Sequence, residues 1–154
     1  MTQGDKSTKE NENLTFSFEV KQTPEKAFRA INDVRGWWSG NIDGSTDELG
    51  DIWTYRYEDL HYCKQKITDL VPGKRVVWHV LDSYIAVEGD KEEWTGTDIV
   101  FDIKRKDDKT EVIFTHAGLT PTLACYAGCF SGWRFYIMES LRDLITTGIG
   151  APNQ

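Results

Sequence analysis

Nowhere does the chain carry the ~18 consecutive apolar residues a helix needs to cross a bilayer, and Met1 to Asn13 lacks the apolar core of a secretory signal. Membrane insertion and secretion are not expected, and a cytoplasmic protein is. Cysteine is scarce. Cys63, Cys125 and Cys129 form an odd set without the spacing of a secreted disulfide framework, which fits a reducing compartment. Positive charge is in deficit too: 18 Lys and Arg face 25 Asp and Glu, for a formal charge of −7. A nucleic-acid backbone or an anionic membrane would on average be repelled. The Gly-x-Gly-x-x-Gly, Walker and Gly-x-Ser-x-Gly patterns are all missing, which removes the usual dinucleotide, nucleotide and serine-hydrolase readings. No cofactor is expected.

What the chain has in excess is aromatic surface: six Trp, six Tyr and seven Phe among 154 residues. Rings of that size have to be covered, and a chain of this length can bury roughly 68–70% of its unfolded surface in one core. The first thirteen residues are polar and aperiodic and read as a mobile leader, with a single domain over 14–150. From Leu14 the apolar residues alternate (Leu14, Phe16, Phe18, Val20), the mark of a half-buried strand. Thr23 as N-cap and Pro24 at the first helical position start a short helix carrying Ala27, Phe28, Ala30 and Ile31. Trp37 and Trp38 follow between glycines in a bend or second short helix, where a regular backbone would point at most one of them inward.

Trp53, Tyr55 and Tyr57 then alternate with polar neighbours, and Cys63, Gln65 and Ile67 share one parity of the next strand. Pro72-Gly73 is a turn, and Val76 to Leu81 is apolar on both faces, as in a strand covered on two sides. Ser83 to Glu93 reads as a loop or irregular strand. Trp94 to Ile103 reads as a strand, Lys106 to Lys109 as a polar turn, and Thr110 to His116 as the hairpin partner. After Gly118 the period changes to about 3.6, with Cys125, Cys129, Trp133, Ile137, Leu141 and Leu144 on one stripe. The spacing predicts a long amphipathic helix that starts near Thr120-Pro121-Thr122 and stops at Gly148 and Gly150. The fold class is therefore α+β, an antiparallel meander against a long C-terminal helix.

This order of elements resembles the START-like superfamily, whose helix-grip fold wraps a curved antiparallel sheet around a C-terminal helix, with two short helices after the first strand. Pro24-Glu25-Lys26-Ala27-Phe28, Trp37-Trp38, Pro72-Gly73-Lys74-Arg75-Val76-Val77-Trp78, Thr115-His116-Ala117-Gly118-Leu119 and Gly132-Trp133 are similar to the bacterial branch related to the C-terminal domain of the activator of the heat-shock protein 90 ATPase. The resemblance runs from about Leu14 to Gly148. It implies a cavity between sheet and terminal helix, in a superfamily of lipid binders, aromatase/cyclases and chaperone activators, so fold alone does not fix function.

The residues expected to line such a cavity are Trp38, Trp53, Tyr55, Tyr57, Trp78, Phe101, Phe114, His116, Cys129 and Trp133. Filling the core is the competing role for each ring. Buried indole N–H and phenol O–H groups each need a partner, which a cavity holding a polar ligand or water supplies. His116 stands at the cavity's end, but without an identified base or nucleophile it reads better as a histidine pinning the turn. Cys125 and Cys129 lie four apart and could form a zinc site with Cys63 or a histidine, yet no Cys-x-x-Cys or His-x-x-x-His accompanies them, and no metal is assigned. Asp51, Asp98, Asp102 and Glu111 oppose the apolar parity and belong on a solvated face. The expected function is carriage of a small apolar or aromatic ligand without catalysis. A chaperone-docking module and a cyclase- or hydrolase-type enzyme using His116 with Tyr57 or Tyr55 are the alternatives, and a homodimer is compatible with all three.

Overall fold

The computed structural model describes residues 13–86 and 92–153. The leader expected before Leu14 lies, apart from Asn13, outside them. Seven strands, β1 (Leu14–Val20), β2 (Ile42–Asp43), β3 (Ile52–Tyr57), β4 (His61–Val71), β5 (Arg75–Ile85), β6 (Asp98–Lys106) and β7 (Lys109–Ala117), form one antiparallel sheet in the order β1-β7-β6-β5-β4-β3-β2. The alternation of β1 does what its period requires: Leu14, Phe18 and Val20 are buried, and Phe16 sits opposite Phe114. Register shifts between Lys64 and Gln65 and between Ile67 and Asp69 interrupt the β4–β5 ladder. Such bulges bend a strand and increase its twist, which lets the sheet curve around a helix.

Two short helices follow β1. In α1 (Pro24–Asn32), Thr23 Oγ1 accepts the Lys26 N–H at 3.1 Å, and Ala27, Ala30 and Ile31 are buried. The single turn of α2 (Val34–Trp37) delivers the paired indoles. Both are buried, at 0% and 3% exposure, contrary to the expectation that at most one would turn inward. That expectation took any regular backbone to part neighbouring side chains; in a helical turn they diverge by only about 100°, so both can meet one core.

Two further boundaries differ from the sequence reading. β5 continues to Ile85, and Trp94 belongs to a turn rather than a strand, since Gly96 at φ +85° breaks any extended run before Asp98. The terminal helix begins at Tyr126, five residues or so after the Thr-Pro-Thr signal, because the Glu93 carboxylate accepts the N–H groups of Ala124 and Cys125, both at 2.9 Å. A side chain from a remote turn thus satisfies the donors at the N-cap and just before it. The helical run consists of α3 (Tyr126–Phe135), a π-helical segment Tyr136–Leu141 and α4 (Arg142–Thr147). Trp133, Ile137, Leu141 and Ile145 bury its inner stripe against the sheet. No described helix is long and apolar enough to cross a membrane.

Beyond Gly148 the chain does not leave the fold. Gly150 packs so tightly that a Cβ there would collide with the Gly36 carbonyl oxygen. The Ala151 N–H donates to Ser140 Oγ at 2.7 Å, the Asn153 N–H to the Trp38 carbonyl at 2.9 Å, and the Gly40 N–H to the Asn153 carbonyl at 2.9 Å. The tail therefore threads between α2 and the π-helical segment and returns to the second indole of the pair.

Candidate functional site

All six tryptophans are buried, and Trp38 joins most of them. It stacks on Tyr55 at 4.4 Å between centroids, lies parallel to Trp78 at 6.1 Å, and meets Trp133 at 5.0 Å and Trp53 edge-on at 5.9 Å. On one side of this hub the packing is continuous. Trp53 and Trp78 meet at 4.9 Å, Trp78 and Phe101 at 5.0 Å, and Phe101 and Phe114 at 5.3 Å. On the other side a cleft of about 540 Å³ opens between the β3–β4 end of the sheet, Ile85, Trp94 and the first half of the terminal helix.

The ten candidate residues divide between these two regions. Trp38, Tyr55, Tyr57, Cys129 and Trp133 line the cleft; Trp53, Trp78, Phe101, Phe114 and His116 lie in the packed layer. The sequence reading missed Leu60, His61, Trp94 and Tyr136 as lining residues. His61 was visible in the sequence, at the start of a strand, but nothing marked which end of that strand would stay open. Gly128 and Gly132 also line the cleft, and their lack of side chains leaves room beside Trp133.

His116 is fully buried and both ring nitrogens are engaged. Trp133 Nε1–H donates to Nδ1 at 3.1 Å, so the proton sits on Nε2, which faces Thr97 Oγ1 at 2.8 Å; Thr97 in turn donates to the Trp94 carbonyl. Burial, reinforced by the nearby His61, pulls its pKa down to about 3. The ring holds the Trp94 turn against the terminal helix, and it offers no free nitrogen to a ligand.

His61 differs. Burial lowers its pKa to about 4, its ring stands edge-on to Tyr55 and Trp94, and its buried Nε2 has no hydrogen-bond partner among the described residues, while the residue forms part of the cleft wall. It is a neutral imidazole with spare hydrogen-bonding capacity. Cys129 accepts a hydrogen bond from Trp94 Nε1 at 3.3 Å. The Cys125 thiol beside it, aided by Trp94, lowers the Cys129 pKa, whereas its bond to Cys129, burial and the Glu93 carboxylate raise that of Cys125. Burial raises the pKa of Cys63. Among the described residues no group of three or more His, Cys, Asp or Glu side chains could hold a metal ion.

At the far end of the cleft, Asn153 Nδ2 donates to Tyr55 Oη and to Tyr136 Oη, both at 3.0 Å. Burial, which outweighs the Asn153 hydrogen bond, pushes the Tyr55 phenol up to about 12. The acidic residues set aside in the sequence lie elsewhere: Asp98 pairs with His79 and Asp102 with Arg75 on the outer face of the sheet.

Seven antiparallel strands curved about one terminal helical run, with an aromatic cleft at its first half, define an α+β protein of helix-grip architecture. Within that class the chain belongs to the Activator of Hsp90 ATPase homolog 1-like protein family, whose family model matches residues 21–146. Among solved structures it is similar to the Aha1 dimer from Colwellia psychrerythraea, with 28% identity, a TM-score of 0.71, and 90% of this chain and 98% of that one covered. DynU16, a protein of the dynemicin biosynthetic locus, matches at 14% identity and TM-score 0.64 over 90% of this chain and 49% of its own. A Staphylococcus saprophyticus protein matches at 18% and 0.66 over 90% and 95%. The last two show the fold alone. A search of the curated proteins gives no match.

Proposed function

We propose that the protein binds a small apolar or aromatic molecule in the cleft beside Trp38, Trp94 and Trp133. The observation that carries this reading is a space of about 540 Å³ walled by indoles and phenols. That volume is of the size that takes a drug-sized ligand, and ring faces give such a ligand dispersion and hydrophobic contact with few rotamers to freeze. Three unpaired thiols suit a cytoplasmic setting for this role. Titration of the protein with aromatic probes should quench tryptophan fluorescence and raise the melting temperature. A panel that produced neither effect at any concentration would remove the reading.

A chaperone-docking role is the second reading, and family membership is what favours it. The Colwellia relative is described as a dimer, so self-association of this chain belongs to the same experiment. Sedimentation of the protein alone and with a bacterial chaperone of the heat-shock 90 class should give a heavier complex; free sedimentation of both would count against docking. No catalytic step is assigned. The base that an enzyme reading requires, His116, is engaged on both nitrogens.

A further inference from the structure

Taking the cleft as a ligand site, the two phenols at its end point to what the ligand carries. Asn153 is fixed before it reaches them: its backbone N–H and C=O bond Trp38 and Gly40, and its Oδ1 accepts from Ser39 Oγ. Ser39 Oγ itself accepts the Asn41 N–H at 2.9 Å, so its single proton is free for Asn153 Oδ1. The amide's two remaining protons then go one to each phenol oxygen, Tyr55 and Tyr136. A phenol that accepts from an amide still has its own proton to give. Neither O–H donates to any described residue, and both tyrosines line the cleft.

We propose that Tyr55 and Tyr136, clamped as a pair by Asn153, present two O–H donors to the carbonyl oxygen of an uncharged aromatic ligand in the cleft. Two phenols held on one bridging amide offer two donors, the number that the two lone pairs of a carbonyl accept. Among the described residues no Lys or Arg lines the cleft, so an uncharged acceptor is selected over a carboxylate, whose unpaired burial is costly. The raised pKa of Tyr55 keeps its proton in place at neutral pH.

The test compares 2-acetonaphthone with 2-isopropylnaphthalene, near-isosteres that differ in the carbonyl, by tryptophan quenching and calorimetry on the full chain. The ketone should bind about tenfold or more tightly, as expected for two hydrogen bonds to neutral partners. In Tyr136→Phe, and more fully in Tyr55→Phe/Tyr136→Phe, that preference, read as the ratio of the two affinities within each variant, should shrink towards unity. Because the double variant could lose its fold, infrared spectra of 13C-carbonyl ketone on wild type and on Tyr136→Phe provide a second readout. The bound C=O stretch should lie below its frequency in cyclohexane and move back in the variant. Equal affinities for the two probes, or a stretch that Tyr136→Phe leaves in place, would overturn the carbonyl assignment and leave the cleft reading standing. Failure of both probes to bind would overturn both.

Discussion

The two histidines behind the cleft walls turn burial into a pH dependence. Their folded pKa values, about 4 for His61 and about 3 for His116, lie below the 6.5 of an exposed imidazole. The unfolded chain therefore takes up protons below pH 6.5 that the folded chain refuses, and stability falls as pH drops towards those lower values. At pH 5 the loss is about 2 kcal/mol from each ring. Urea unfolding at pH 7 and pH 5 should show it, and His116→Gln should flatten the pH slope even though it weakens the fold at pH 7. An identical slope in wild type and variant would refute the assignment. The thiols give a second residue-scale expectation. Cys129, with its lowered pKa beside Cys125 and the Trp94 N–H, should react first with a disulfide reagent, while buried Cys63 should wait for unfolding. Peptide mapping after one equivalent of reagent decides between them.

Among the elements, the terminal helix owes its start to a residue far away in sequence. Glu93 serves as an external cap, and Glu93→Ala should cost about 1–2 kcal/mol in chemical denaturation and fray the turn that carries Cys125. The sequence did not show this capping, since Glu93 falls in an irregular acidic stretch and its partners lie about thirty positions on. The strands and the helical stripe were legible because one face of each is buried and period follows burial: β1 alternates, and the Cys125-to-Leu144 stripe repeats at helical spacing. Which aromatic residues pack and which line space could not be read from parity. Trp53 and Tyr55 lie on the same face of β3, yet one is inside the packed layer and the other at the cleft. That division depends on where helix and sheet diverge. The π-helical segment is equally silent in sequence, although it sets Tyr136 towards Asn153 and Ser140 towards the Trp37 carbonyl at 2.7 Å.

At the scale of the whole molecule, the fold ties together segments that lie far apart in sequence. β1 pairs with β7, so Thr15 bonds Thr115 across 100 positions, and Asn153 reaches Tyr55 across 98. Contacts this distant demand costly loop closure before they stabilise anything. Refolding from urea should accordingly take milliseconds to seconds rather than microseconds, which stopped-flow tryptophan fluorescence can follow. Gly150→Val should speed unfolding, because its side chain would collide with the Gly36 carbonyl where the tail passes α2. A microsecond refolding phase carrying the full amplitude would contradict this order of events.

The returning tail also has a practical meaning for anyone who handles the protein. A substitution at Asn153 made for cloning or labelling removes the amide that spaces Tyr55 and Tyr136, and so loosens both phenols at once.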